Sequence, residues 1–163
     1  MAAPSAAGSN PQKYAERTVV ITRVFDAPRS LVFKAWTDQD QLKQWWGPKH
    51  FTNPVCEADA RVGGKWHIVM RDPQGNDYPC GGVYREVVEP ERLVFTNNAT
   101  DADGNVILEG LTKVTFVERN GKTTVTVDTT AAAMVSYAAA FLEGMEAGWT
   151  QSIDKLSALF AKS

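Results

Sequence analysis

The chain has 163 residues and a formal net charge of −2, a balance that excludes a dedicated nucleic-acid binder with its clustered basic excess and an acidic disordered tail. Two cysteines and two histidines are too few for a disulfide framework or a self-contained zinc module. Five tryptophans and seven phenylalanines, by contrast, are many for a length that fits one domain and buries about 68–70% of its unfolded surface without staples.

Residues 1–17 are rich in Ala, Ser, Gly and Pro and lack a basic start or an apolar core. They are expected to be a flexible tail rather than a signal peptide. No run of about 18 apolar residues occurs, so the expectation is a cytoplasmic protein with no membrane partner and reduced thiols at Cys56 and Cys80. Residues 18–163 are expected to form one domain.

Thr18–Phe25 (TVVITRVF) has the β-branched and aromatic composition of a strand. Ala27-Pro28 ends it, and Pro28 suits a first helical position because its missing donor would be unpaired there. Leu31, Val32, Ala35 and Trp36 share a helical face. Thr37-Asp38-Gln39-Asp40 reads as a capping box with a shorter acid, opening a second short helix through Leu42, Trp45 and Trp46. Gly47-Pro48 stops it.

From about His50 to Thr130 the period changes to two. In Lys65–Arg71, Trp66, Ile68 and Met70 take one face, and Lys65, His67 and Arg71 the other. Pro73–Asn76 has turn chemistry. Tyr78–Val88, Arg92–Thr96 and Leu108–Val117 continue a meander through the polar loop Asp101–Asn105. Asn120-Gly121 is a strong two-residue hairpin signal, and Thr123–Thr130 completes seven predicted strands. Leu142, Met145, Trp149, Ile153, Leu156 and Phe160 then paint one stripe on a long helix. Gly144 and Gly148 interrupt it, which points either to close approach of another element or to a flexible helix start. This order predicts an α+β helix-grip fold: a curved seven-stranded antiparallel sheet around a long C-terminal helix, with two short helices after the first strand.

Several motifs are then familiar. Ala27-Pro28 with Leu31–Asp38 (LVFKAWTD), Trp45-Trp46-Gly47-Pro48, Gly63-Gly64-Lys65-Trp66, Pro90–Thr96 (PERLVFT) and Gly148-Trp149 followed by Leu156 occur in this order. Over about Thr18–Phe160 the chain resembles the activator of Hsp90 ATPase homologue-like family, within the START-like and birch-allergen-like superfamily. The resemblance implies a cavity between sheet and long helix that binds small hydrophobic molecules. It does not fix one reaction, since members include carriers, cyclase-like proteins and co-chaperone domains. The co-chaperone that gives the family its name has an additional N-terminal domain, for which the short Ala/Ser/Pro segment before Thr18 is not expected to substitute.

An empty apolar cavity of ~300 Å³ would cost roughly 7 kcal/mol, against a total stability of about 5–15 kcal/mol. Such a space is therefore expected to hold side chains, water or a ligand. Trp45, Trp46, Trp66, Met70, Tyr84, Phe95, Phe116, Met145 and Trp149 are the large residues that either fill or line it, with Trp66, Tyr84 and Trp149 foremost. Glu86 shares alternation parity with Gly82 and Tyr84. If it points inward, burial would raise its pKa and make it an acid or base; if it sits at the mouth, it is hydrated or paired, with Arg23 as the partner named from composition. The expected ligand-binding set is Trp66, Met70, Tyr84, Glu86, Phe95, Phe116, Met145 and Trp149.

Neither His67, on the polar face of its strand, nor His50, in a loop, has zinc-ligand spacing with Cys56 and Cys80. Gly-x-Ser-x-Gly is absent, Cys80 has no basic neighbour in sequence, and Gly63-Gly64 and Gly81-Gly82 lack the lysine and helix of a phosphate cradle. No cofactor, metal or catalytic residue is assigned. The primary expectation is a binding protein for a hydrophobic small molecule. A co-chaperone partner for an Hsp90-type chaperone is the alternative, and a cyclase- or hydrolase-like enzyme using Glu86, Tyr84 or His67 is the third reading.

Overall fold

The computed structural model describes residues 14–161, so residues 1–13 of the expected tail lie outside the described residues. The elements run β1 (Ala15–Phe25), α1 (Arg29–Thr37), α2 (Gln39–Trp45), β2 (Thr52–Ala58), β3 (Lys65–Arg71), β4 (Asp77–Val88), β5 (Arg92–Thr100), β6 (Val106–Arg119), β7 (Lys122–Ala133), a 3₁₀ turn (Ser136–Ala138), α3 (Ala139–Glu143) and α4 (Met145–Ala161). The seven strands form one antiparallel sheet in the order β1-β7-β6-β5-β4-β3-β2. All strands but the first follow a meander; β1 closes the far side by pairing with β7, from Ala15 opposite Ala133 to Phe25 opposite Thr123.

Turn chemistry fixes the register. Asn120 and Gly121 hold φ of 56° and 78°, the two positive values a type I′ hairpin needs. The β3–β4 and β5–β6 connections are the same device used twice, Asp-x-x-Gly-Asn at 72–76 and 101–105. In the first, Asp72 Oδ1 accepts from the backbone N–H of Gln74 and Asn76 at 2.9 and 2.8 Å. In the second, Asp101 Oδ1 accepts from Asp103 and Asn105, both at 2.9 Å. Gly75 and Gly104 take φ of 88° and 86° at equivalent places. Both loops lie at the same end of the sheet.

Pro28 is the N-cap of α1 rather than its first residue, and the Arg29 N–H is satisfied by Glu118 Oε1 at 2.9 Å. Asp38, not Thr37, caps α2 by accepting from the Asp40 N–H at 2.9 Å. The Thr37 hydroxyl instead donates back to the Phe33 carbonyl at 3.1 Å. Trp45 locks the helix pair by donating its indole N–H to the Ala35 carbonyl at 2.9 Å. The C-terminal stripe is broken: Gly144, at φ −92° and ψ 2°, separates α3 from α4. Leu142 thus belongs to a different helix from Met145 and its successors.

The concave face of the sheet carries a gradient of side-chain size. At one end Phe25, Leu93, Phe95, Val114, Phe116 and Val125 pack against Val32, Phe33 and Trp36 of α1 and against Ile153 and Leu156 of α4. At the other end the facing residues are small: Cys80, Ala99, Gly110, Ala131 and Ala133. There a second, smaller cluster of Ile107, Ala131, Ala133, Ala138 and Leu142 packs under α3. The large and small clusters do not merge, and the space between them is where a site forms.

Candidate functional site

Small residues on the sheet and two glycines on the opposing helices leave a cavity of about 410 Å³. Its floor is Cys80, Asn97, Ala99, Leu108 and Ala131, and its roof Leu142, Gly144, Met145, Gly148 and Trp149. Trp46, Gly47, Pro48 and Phe51 close one side with Trp66, Met70 and Tyr78. A Cβ on Gly148 would only reach ordinary contact with Pro48 Cγ at 3.7 Å, so no helix packing demands this glycine and it leaves space at the rim. Gly110 is different, because a Cβ there would lie 2.2 Å from the Thr130 carbonyl.

Trp66, Met70, Met145 and Trp149 of the expected set meet in this cavity. Trp66 is held by its indole N–H, which donates to the Thr96 carbonyl at 3.0 Å. Trp149 stacks on Trp36 at 6.2 Å and meets the edge of Trp46 at 5.5 Å. Tyr84 and Phe95 go elsewhere. With Trp36, Leu42, Trp46 and Trp66 they surround a separate void of about 10 Å³, room for a single water, beside a Trp36 Nε1 that is buried with no partner among the described residues. Phe116 is core, 5.2 Å from the Phe33 ring and 6.3 Å from Trp36. Trp45 is also core, 4.6 Å from Trp36.

The parity argument for Glu86 fails for a local reason. Tyr84 is opposite Phe95 but Glu86 is opposite Val94, so Arg85 is an extra residue in a β-bulge. A bulge resets alternation: Tyr84 stays inside, Val87 packs on the core, and the Glu86 side chain is 43% exposed. Its partner is Arg92, while Arg23 reaches across to Asp154 of α4 at 2.9 Å. His67 and His50 are exposed. Glu86, Tyr84 and His67 therefore all lie outside the cavity lining.

No carboxylate, imidazole, ammonium or guanidinium lines the cavity among the described residues. Its ionisable groups are held neutral: burial pushes the Cys80 thiol up to about 12, and the hydrogen bond from Tyr78 to Asp72, 3.0 Å long, raises the phenol. Cys56, outside the cavity, is pushed up to about 11 by burial. Among the described residues no cluster of three or more His, Cys, Asp or Glu is placed to hold a metal.

The polar groups that do reach the cavity were missed in sequence. Asn97 lies on the floor, and its Oδ1 accepts from the Thr112 hydroxyl at 2.8 Å; Thr112 in turn meets the Thr129 hydroxyl at 2.8 Å. This chain crosses β5, β6 and β7 at the border between the aromatic end and the small-residue end. Asn98, the next residue in an unbroken register, points to the opposite face of the sheet; its Oδ1 is buried with no partner among the described residues, a state that costs about 1–3 kcal/mol if nothing answers it. The signal was an Asn-Asn pair within an otherwise apolar and Thr-rich strand.

A curved sheet gripping a C-terminal helix over an apolar cavity defines a helix-grip protein of the START-like class. The family model described as "Activator of Hsp90 ATPase homolog 1-like protein" matches residues 26–161, and the chain belongs to that family. Among solved structures, a Chromobacterium violaceum protein is similar at 28% identity over 90% of this chain and 98% of that one, with a TM-score of 0.79. The family protein from Silicibacter pomeroyi matches at 26% identity over 89% and 98% of the two chains, TM-score 0.76. A Mycobacterium smegmatis protein matches at 26% over 90% and 91%, TM-score 0.74. No curated protein matches the chain, and no helix among the described residues is long and apolar enough to cross a membrane.

Proposed function

We propose that the chain is a binding protein for a hydrophobic small molecule held between sheet and C-terminal helix. The observation that carries this reading is the cavity of about 410 Å³, within the roughly 300–1,000 Å³ of ligand pockets. Its lining of indoles and two methionines suits an apolar guest of variable shape. Trp46, Trp66 and Trp149 line it directly, so a bound aromatic ligand is expected to quench tryptophan fluorescence in a saturable titration. Native mass spectrometry of the purified protein reads any co-purifying molecule. A flat response across a diverse apolar library, together with a bare mass, overturns the reading. Two free thiols fit a reducing compartment, and the reading places the protein in the cytoplasm.

Family membership favours a second reading, that of a chaperone partner. Its test is the ATPase rate of an Hsp90-type chaperone with and without this chain, and unchanged turnover eliminates it.

A further inference from the structure

The floor of the cavity is not uniformly apolar. Asn97 has its carbonyl oxygen engaged by Thr112, 2.8 Å away, with Thr129 behind at 2.8 Å. That chain turns the amide so that Nδ2, which has no hydrogen-bond partner among the described residues, is the free end of a side chain on the cavity wall. Gly110, the residue opposite Asn97 on β6, makes room for it: a Cβ there would sit 3.1 Å from Asn97 Nδ2. A donor is thus presented beside apolar and aromatic surface.

Charge is absent from the same space. No acidic or basic side chain lines it among the described residues. Arg17, directly opposite Ala131 in the β1–β7 pair, is engaged by the Leu142 and Glu143 carbonyls at 3.0 and 3.2 Å and by Glu146 at 3.1 Å. A carboxylate or phosphate brought here would lose its hydration with no counter-ion. A volume of about 410 Å³ is more than twice the roughly 150 Å³ that accepts a benzene.

Resting on the binding reading above, we infer that the cavity selects an uncharged ligand of two or three rings, or equal bulk, whose single hydrogen-bond acceptor docks on Asn97 Nδ2. The Thr129–Thr112–Asn97 chain is the orienting element. The apolar body lies against Trp66, Trp149, Met70 and Met145.

Three naphthalenes of matched shape test this: 2-acetylnaphthalene, with a neutral acceptor; 2-ethylnaphthalene, with none; and 2-naphthoate, ionised at pH 7. Dissociation constants are measured by calorimetry for the wild type and for Asn97→Leu. In the variant the ratio of ketone to hydrocarbon constants rises about fivefold to tenfold, the worth of one neutral hydrogen bond, and the wild type binds the ketone in preference to naphthoate. In the wild type, the Asn97 side-chain amide resonances move on adding the ketone and not on adding the hydrocarbon, a readout independent of whether the variant folds. An unchanged ratio, unmoved Asn97 resonances, or naphthoate binding as tightly as the ketone overturns the selection while leaving cavity binding intact. Failure of the wild type to bind either neutral compound overturns this inference, whose ligand class both represent; the binding reading itself falls only with a flat library response and a bare mass.

Discussion

Gly148 and Gly110 show how differently one residue type serves this site. At Gly148 a methyl group meets Pro48 at ordinary distance and the backbone is helical, so Gly148→Ala is expected to stabilise the fold by about 0.5–1 kcal/mol through helix propensity. Gly148→Leu should keep that fold and abolish titratable ligand binding by filling the rim. Denaturant melts and fluorescence titrations on the two variants separate the effects. Cys80 gives a second expectation. With its thiol pushed up to about 12 by burial, thiolate is scarce at pH 7, and alkylation of the native protein should be far slower than of the unfolded chain, as timed mass spectrometry reads. Residue by residue, the sequence revealed types more readily than directions. Trp66 and Met70 were legible because β3 alternates without a fault, whereas Glu86 was not, since one extra residue in β4 is invisible to a period-two pattern. Tyr84 and Phe95 face inward as alternation says, yet the pattern cannot tell which part of the interior they reach. Asn97 carried no functional signal until its neighbours on β6 and β7 were in place.

Elements were easier to read than their joints. Six strands could be placed from composition or alternation with turn residues at their ends, whereas β2 (Thr52–Ala58) had no range of its own in the sequence and the pairing of β1 with β7 came only with the structure. The C-terminal stripe also followed, but not its division, because a spacing of three between Leu142 and Met145 fits one helix or two. Besides the apolar cluster under Leu142, α3 is held by a side chain from the far edge strand: Arg17 on β1 donates to the last carbonyls of α3 and pairs with Glu146 on α4. A guanidinium at a helix C-terminus is favourable on dipole grounds as well. Arg17→Met should therefore free the joint without unfolding the sheet. Hydrogen exchange at residues 138–146 is expected to quicken while that of β6 and β7 stays slow, and ligand release should accelerate with it. Equal acceleration throughout the sheet would show that Arg17 supports the whole fold rather than this joint.

For the molecule as a whole, pH dependence tests how α4 is seated. Lys155 is half-buried between α4 and the 46–48 segment, its ammonium donating to the Trp46 and Pro48 carbonyls at 3.4 and 3.2 Å, and burial lowers its pKa. A folded pKa below the unfolded one, about 10.4, means that the unfolded chain binds more protons in the interval between them. Stability linked to Lys155 is thus complete above the unfolded pKa and falls away as pH drops through the folded pKa. Relative to Lys155→Met, the wild type should gain stability as pH rises through the interval just below 10.4, measured by denaturant midpoints at matched pH. The division of the concave face has a longer reach. Aromatic rows at one end secure the grip on α4, while rows of Cys80, Ala99 and Ala131 at the other leave the cavity its room. Exchanging an alanine on those rows for valine or leucine would resize the guest's space and spare the rows that hold the helix. Under the binding proposal, ligand preference and foldedness are separable heritable traits in this architecture, and a lineage can change its cargo without rebuilding its container.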